Sequence, residues 1–207
     1  METKIFLIRH AITHWHGESR ALGQNDIPLD DTGIAQARTL AQALVRVPFA
    51  RIISSPLKRA LQTASLLGEA SQRQITSDPR LTDFRVGEWE GLTYAELAKR
   101  EDYRAFMADP STAKIPGGET FEAARNRALD AVSEAQDGSG APLAVVTHSD
   151  IVRLLLCHYL NIDLAMFLRF RVAVASVSTV SVHGNQHKVL GVNWTPVLED
   201  AVFPSVL

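Results

Sequence analysis

The run KIFLIR at residues 4–9 holds four consecutive apolar side chains, Ile5 to Ile8. A short unbroken apolar run suits a strand buried on both faces of a sheet. PLAVVTHS (142–149) repeats the pattern and predicts a second such strand, and ARIISS (50–55) predicts a shorter one. Between these runs the period changes. In DDTGIAQARTLAQALVRV (30–47) the positions Ile34, Ala37, Leu40, Ala41 and Leu44 fall on one helix face. SPLKRALQTASLLGEA (55–70) predicts a helix with Ser55 as its cap and Pro56 in the first position. ETFEAARNRALDAVSEAQ (119–136) predicts a long amphipathic helix, and DIVRLLLCHYL (150–160) predicts the helix after the second buried strand. TYAEL begins a shorter helix, with Thr93 and Glu96 at capping-box spacing. Two late strands are predicted within 172–183 and 187–194, around the turn HGNQ.

Strands alternating with helices predict an α/β fold, a three-layer α/β/α sandwich on a mostly parallel sheet. The stretches from the first strand to about Leu29 and from 73 to 92 read mostly as loop. Residues 84–118 read as a capping insertion within a single domain spanning 1–207. AQDGSGAP (135–142) is the clearest loop, too short to link two domains.

Composition narrows the partners. A formal net charge of -2 gives no overall basic character, so no nucleic acid is expected. No stretch approaches the roughly 20 apolar residues of a membrane span, and the run ended by Arg9 is too short for a signal peptide. A single cysteine, Cys157, excludes an internal disulfide framework, and a cytoplasmic location is expected. The chain is expected to be a monomer or homodimer, with the apolar tail AVFPSVL (201–207) packed on the domain or on a partner chain.

Unusual residues stand at three junctions. The first strand ends in Arg9-His10, a later one ends in VVTHSD with His148, and the helix after ARIISS carries Arg59 in its first turn. In open α/β sheets ligands bind outside the carboxyl ends of the strands, so these four side chains are expected to converge. Two arginines and two histidines in one cavity call for an anion. The arginine fork matches phosphate oxygens, and helix N-termini add N–H donors.

LIRHAIT, DIPLDDTGIAQA, SSPLKRALQTA, RLTDFRVGEWEG, PGGETF and VVTHSD occur in that order between residues 4 and 153. Together they resemble the successive motifs of the histidine phosphatase superfamily, the phosphoglycerate mutase-like family, and its bacterial phosphatase branch in particular. The resemblance implies that His10 is a nucleophile forming a phosphohistidine. It implies that Arg9, Arg59 and His148 bind the phosphoryl oxygens, and that no metal or other cofactor is needed. The acid/base is usually a glutamate in this family; the matching position here is Asp83, one methylene shorter. Glu88 and Glu90 match structural positions. His16 stands where relatives often carry asparagine, and the expected substrate-binding set is His16, Gly23, Gln24 and Ser149, with Asn25 also near the pocket mouth.

The implied activity is hydrolysis of a small phosphorylated metabolite, with α-ribazole phosphate or a sugar or glycerate phosphate as candidates. The alternatives are a mutase-like phosphotransferase and a weakly active phospho-ligand-binding protein. Residues 91–118 offer Lys99, Arg100, Arg104 and Lys114 but no paired arginines of the mutase type. HWH (14–16) and His183 with His187 lack the carboxylate or cysteine partners of a metal site and read as loop and turn histidines. Trp89 and Trp194 read as packing residues, and Cys157 and His158 as structural ones.

Overall fold

The computed structural model describes residues 1–196. In chain order the elements are β1 (Thr3–Arg9), α1 (His14–Gly17), α2 (Asp31–Leu44), β2 (Arg51–Ser54), α3 (Lys58–Ser71), β3 (Ile75–Ser77), α4 (Tyr94–Leu97), α5 (Glu101–Ala108), α6 (Phe121–Ala135), β4 (Leu143–Thr147), α7 (Ser149–Leu160), β5 (Val177–His183) and β6 (Gln186–Trp194). The sheet order is β3-β2-β4-β1-β5-β6. The four strands from β3 to β1 are parallel, and β5 and β6 add an antiparallel hairpin at one edge.

The continuous apolar runs of β1 and β4 divide their side chains between two cores, as strand alternation requires. Ile5, Leu7, Leu143 and Val145 pack on one face with α6 and α7 residues such as Ala128, Val132 and Leu155. Ile8, Ala144 and Val146 pack on the other with Leu40, Ala41, Ala64 and Leu67 of α2 and α3. These two cores make the three layers. A third, smaller cluster joins Trp89 and Leu97 to Ala21, with Tyr103 and Phe106 against it. It ties residues of the expected insertion to the loop after β1. Backbone bonds reinforce the tie: Ala21 N donates to Leu92 O at 2.9 Å, and Tyr94 N to Ser19 O at 2.9 Å.

Several boundaries differ from expectation. β3 lies in the stretch read as loop, because a three-residue edge strand is too short to show a period. α1 lies in the loop expected after β1, and α5 was not expected, its sequence EDYRAFMA burying only part of Tyr103 and Phe106. The first late strand lies within the predicted 172–183 and fills it from Val177 onward, since Val172 O is taken by Arg9 and Ala175 adopts a φ of 52°. α3 begins at Lys58 with Leu57 as its N-cap, so Ser55 is not a cap. The tail 201–207 lies outside the described residues.

Candidate active site

The register of the sheet builds the site. Arg9 of β1 pairs with Thr147 of β4 in parallel, so the next residue along each strand is a histidine. His10 and His148 thus leave the sheet side by side, with ring centroids 5.1 Å apart. The His10 backbone is pinned on both sides: its N–H donates to Thr147 O at 2.9 Å, and its carbonyl accepts from Ala175 N at 3.1 Å. Thr63 of α3 adds a third hold, its hydroxyl accepting from Ala11 N at 3.2 Å and donating to Arg59 O at 2.8 Å.

His10 is 1% exposed. Its Nδ1 lies 2.7 Å from Ala11 O, which can only accept, so Nδ1 carries the proton and Nε2 keeps a free lone pair. Burial holds the ring neutral well below its ordinary range, and the charges of Arg59, His148 and Arg9 act in the same direction. A neutral imidazole fixed in that tautomer is a competent nucleophile.

Four further groups surround it. Arg59 is fully buried; Nη1 donates to Asn25 O at 2.6 Å, and Nη2 donates to Gly23 O at 2.7 Å and to Asp83 Oδ2 at 2.9 Å. Arg9 Nη1 donates to Val172 O at 2.6 Å, and Nη2 lies 2.8 Å from His16 Nε2. Burial lowers the Arg9 guanidinium to about 10, which leaves it charged at neutral pH. His148 Nε2 lies 2.8 Å from Ser55 Oγ, and its Nδ1 faces Asp83 Oδ2 at 3.4 Å. His16 packs against His10 at 5.7 Å between ring centroids, and burial beside Arg9 lowers it to about 3.

The cluster has surplus donors. Arg9 Nε, Arg59 Nε and His148 Nδ1 are buried without a hydrogen-bond partner, three of the five such side-chain atoms among the described residues. Buried polar atoms are ordinarily paired. Unpaired donors in the same buried cluster as a free imidazole lone pair suit an oxyanion.

The structure therefore brings together His10, Arg9, Arg59, His148, Asp83 and His16. Gly23 and Gln24 join through the second layer. Gly23 O binds Arg59, and at a φ of 50° a Cβ there would come within 2.5 Å of Glu90 Cγ. The Gln24 side chain donates to Asp83 O at 3.2 Å. Ser149 stands in the first turn of α7, its hydroxyl turned to Asp150 Oδ1 at 3.4 Å rather than bonded to the cluster. Among the described residues no group of three or more His, Cys, Asp or Glu side chains is arranged to hold a metal ion. Sequence reasoning missed Ser55 and Thr63 as site residues, although both lie in the SSPLKRALQTA motif. Glu90, expected to be structural, holds the pocket-mouth loop through Gln24 N at 3.2 Å and Asn25 Nδ2 at 3.4 Å.

A family model described as the histidine phosphatase superfamily (branch 1) matches residues 5–195. Phosphoserine phosphatase 1 of Hydrogenobacter thermophilus is 31% identical over 195 residues, covering 93% of this chain and 92% of that protein. A metal-independent phosphoserine phosphatase of Arabidopsis thaliana is 34% identical over 170 residues, covering 79% of this chain and 70% of that protein. Among solved structures, the native mycobacterial glucosyl-3-phosphoglycerate phosphatase superposes with a TM-score of 0.84 at 26% identity, covering 94% of this chain and 100% of that one.

Proposed function

The chain belongs to branch 1 of the histidine phosphatase superfamily, and from that premise we propose that it hydrolyses small phosphomonoesters through a phosphohistidine on His10. The observation that carries the reading is the free Nε2 of His10 set among buried donors without protein partners. In the first step His10 Nε2 attacks phosphorus and the bond to the ester oxygen breaks. Asp83 gives its proton to the leaving alkoxide, which departs as the alcohol. In the second step water attacks phosphorus and the P–Nε2 bond breaks. The proton of that water returns to Asp83, and inorganic phosphate leaves. Arg9, Arg59 and His148 bind the three phosphoryl oxygens, so the spread of charge in the transition state needs no metal.

Asp83 suits the acid role because burial pushes its carboxyl up to about 6, against the pull of Arg59. The substrate class is the small phosphomonoesters. Phosphoserine heads the candidates, supported by the relatives named above; α-ribazole phosphate and sugar or glycerate phosphates follow. A cytoplasmic location belongs to this reading, supported by the single cysteine, buried Cys157.

The test is phosphate release from a panel of these monoesters, with isomerisation of 3-phosphoglycerate followed in parallel and His10→Ala as control. Release without isomerisation, abolished in the variant, is expected. Isomerisation would make the chain a mutase, and binding of vanadate without turnover would make it a phospho-ligand-binding protein.

A further inference from the structure

Arg127, on α6, turns both terminal nitrogens of its guanidinium to the loop that carries Asp83. Nη1 donates to Arg80 O at 2.6 Å and Thr82 O at 2.8 Å, and Nη2 donates to Asp83 O at 3.1 Å. The same fork is paired with Glu119, Nη2 to Oε1 at 2.6 Å and Nε to Oε2 at 3.1 Å. Glu119 Oε1 in turn accepts from Arg85 N at 2.9 Å. The pair therefore grips the chain on both sides of Asp83, through three carbonyls up to it and one N–H beyond it. The two side chains are only 20% and 11% exposed, so solvent competes weakly for these bonds.

We propose that Arg127, locked by Glu119, is the positioning residue that holds Asp83 at proton-transfer distance from the leaving oxygen. A short carboxylate has little reach of its own, so the backbone must bring it in and keep it there. A fixed fork that engages the carbonyls of Arg80, Thr82 and Asp83 together does this; a point charge such as lysine cannot. The inference rests on the reading of Asp83 as the acid, and the experiment separates the two.

Arg127→Met and Arg127→Lys are compared on two substrates, each in the wild-type and the Asp83→Asn background. One substrate is the alkyl monoester turned over fastest in the panel above. The other is p-nitrophenyl phosphate, whose leaving group needs no proton. Arg127→Met is expected to lower kcat/KM for the alkyl ester about 10- to 100-fold, the scale of an ångström's misplacement. The aryl ester should lose less than about 3-fold, and inhibition by inorganic phosphate should not change. Arg127→Lys should fall between, and it carries the test if Arg127→Met does not fold. In the Asp83→Asn background neither substitution should cost the alkyl ester anything more. Equal losses on both substrates, or losses that add to that of Asp83→Asn, would make Arg127 a purely structural staple. If Asp83→Asn alone shows no preference for the alkyl ester, the acid assignment fails and takes this inference with it. If Asp83→Asn is selective and the Arg127 variants are not, the acid stands and the positioning role falls.

Discussion

His148 Nδ1 and Asp83 Oδ2 face each other at 3.4 Å, and the same carboxylate oxygen accepts from Arg59 Nη2 at 2.9 Å. The backbone at this point is held in place, Asp83 O accepting from Gln24 Nε2 and Arg127 Nη2. With Asp83 only 7% exposed, an added methylene has nowhere to go without moving Arg59 or His148. Asp83→Glu, although it restores the residue usual in the family motif, is therefore expected to destabilise the fold by about 1–3 kcal/mol through overpacking. It should also lower kcat/KM on alkyl esters. Thermal unfolding and steady-state rates on the purified variant check this; unchanged stability with equal or higher activity would show that the pocket has room to spare.

The pH dependence of the first step follows from the same residue. In the proposed mechanism the protonated Asp83 is the acid, and burial places its carboxyl at about 6, so the acid is lost as pH rises through that value. The substrate phosphoryl group also ionises near 6, the aryl ester somewhat lower because its leaving group withdraws electrons, and both ionisations are common to the two proteins. The ratio of kcat/KM for an alkyl ester to that for the aryl ester, taken in the wild type relative to Asp83→Asn, should therefore fall above about pH 6. The same ratio profile in both proteins would remove Asp83 from the acid role.

Stability should respond to acid with the opposite sign. Burial and neighbouring guanidinium groups hold His10 and His148 neutral well below 6.5, and hold His16 neutral down to about 3. Below 6.5 the unfolded chain binds protons on these three rings that the folded chain refuses, so their contribution is present above 6.5 and lost as pH falls. Asp83 works the other way: its folded value lies above the ordinary 3.8, so its contribution is present below 3.8 and lost as pH rises through about 6. Three groups oppose one, and the unfolding midpoint in urea should drop between pH 7 and pH 5. A midpoint that rises over that interval would mean the rings accept protons in the native state.

The sheet and its two faces were readable because β1 and β4 carry unbroken apolar runs and α2, α3, α6 and α7 carry clear helical periods. The convergence of Arg9, His10 and His148 follows from strand ends, and that of Arg59 from the helix that leaves the next strand. Asp83, by contrast, sits in a loop with no period, and its place beside Arg59 came from the motif resemblance rather than from any local pattern. Arg127 and Glu119 were invisible for another reason. A charged residue on an amphipathic helix looks like a solvated one until the loop it binds is known, and loop bonds to backbone carbonyls leave no trace in side-chain identity. Gly33 shows how one letter can hold such information: a Cβ there would meet Ile12 O at 2.1 Å, which explains why DDTG opens α2 so close to the loop after β1.

Ser55 has the sequence of a helix cap, Ser-Pro before a helix, without the role, because α3 starts three residues later. Its hydroxyl accepts from Leu57 N at 3.3 Å, which leaves its own proton free for His148 Nε2 at 2.8 Å. That places the histidine proton on Nδ1, the atom turned toward Asp83 and the pocket, where it can donate to a phosphoryl oxygen. Without the hydroxyl the ring is free to carry its proton on Nε2, and Nδ1 then presents a lone pair to the anion. Ser55→Ala should therefore weaken inhibition by vanadate and lower kcat/KM by about 100-fold, the lower end of the scale for one oxyanion donor removed or turned away. The loss should be similar for alkyl and aryl esters, because the phosphoryl group rather than the leaving group is affected. Helical content should be unchanged, since α3 begins only at Lys58. A variant with frayed helix signal and intact kcat/KM would return Ser55 to the role of a cap.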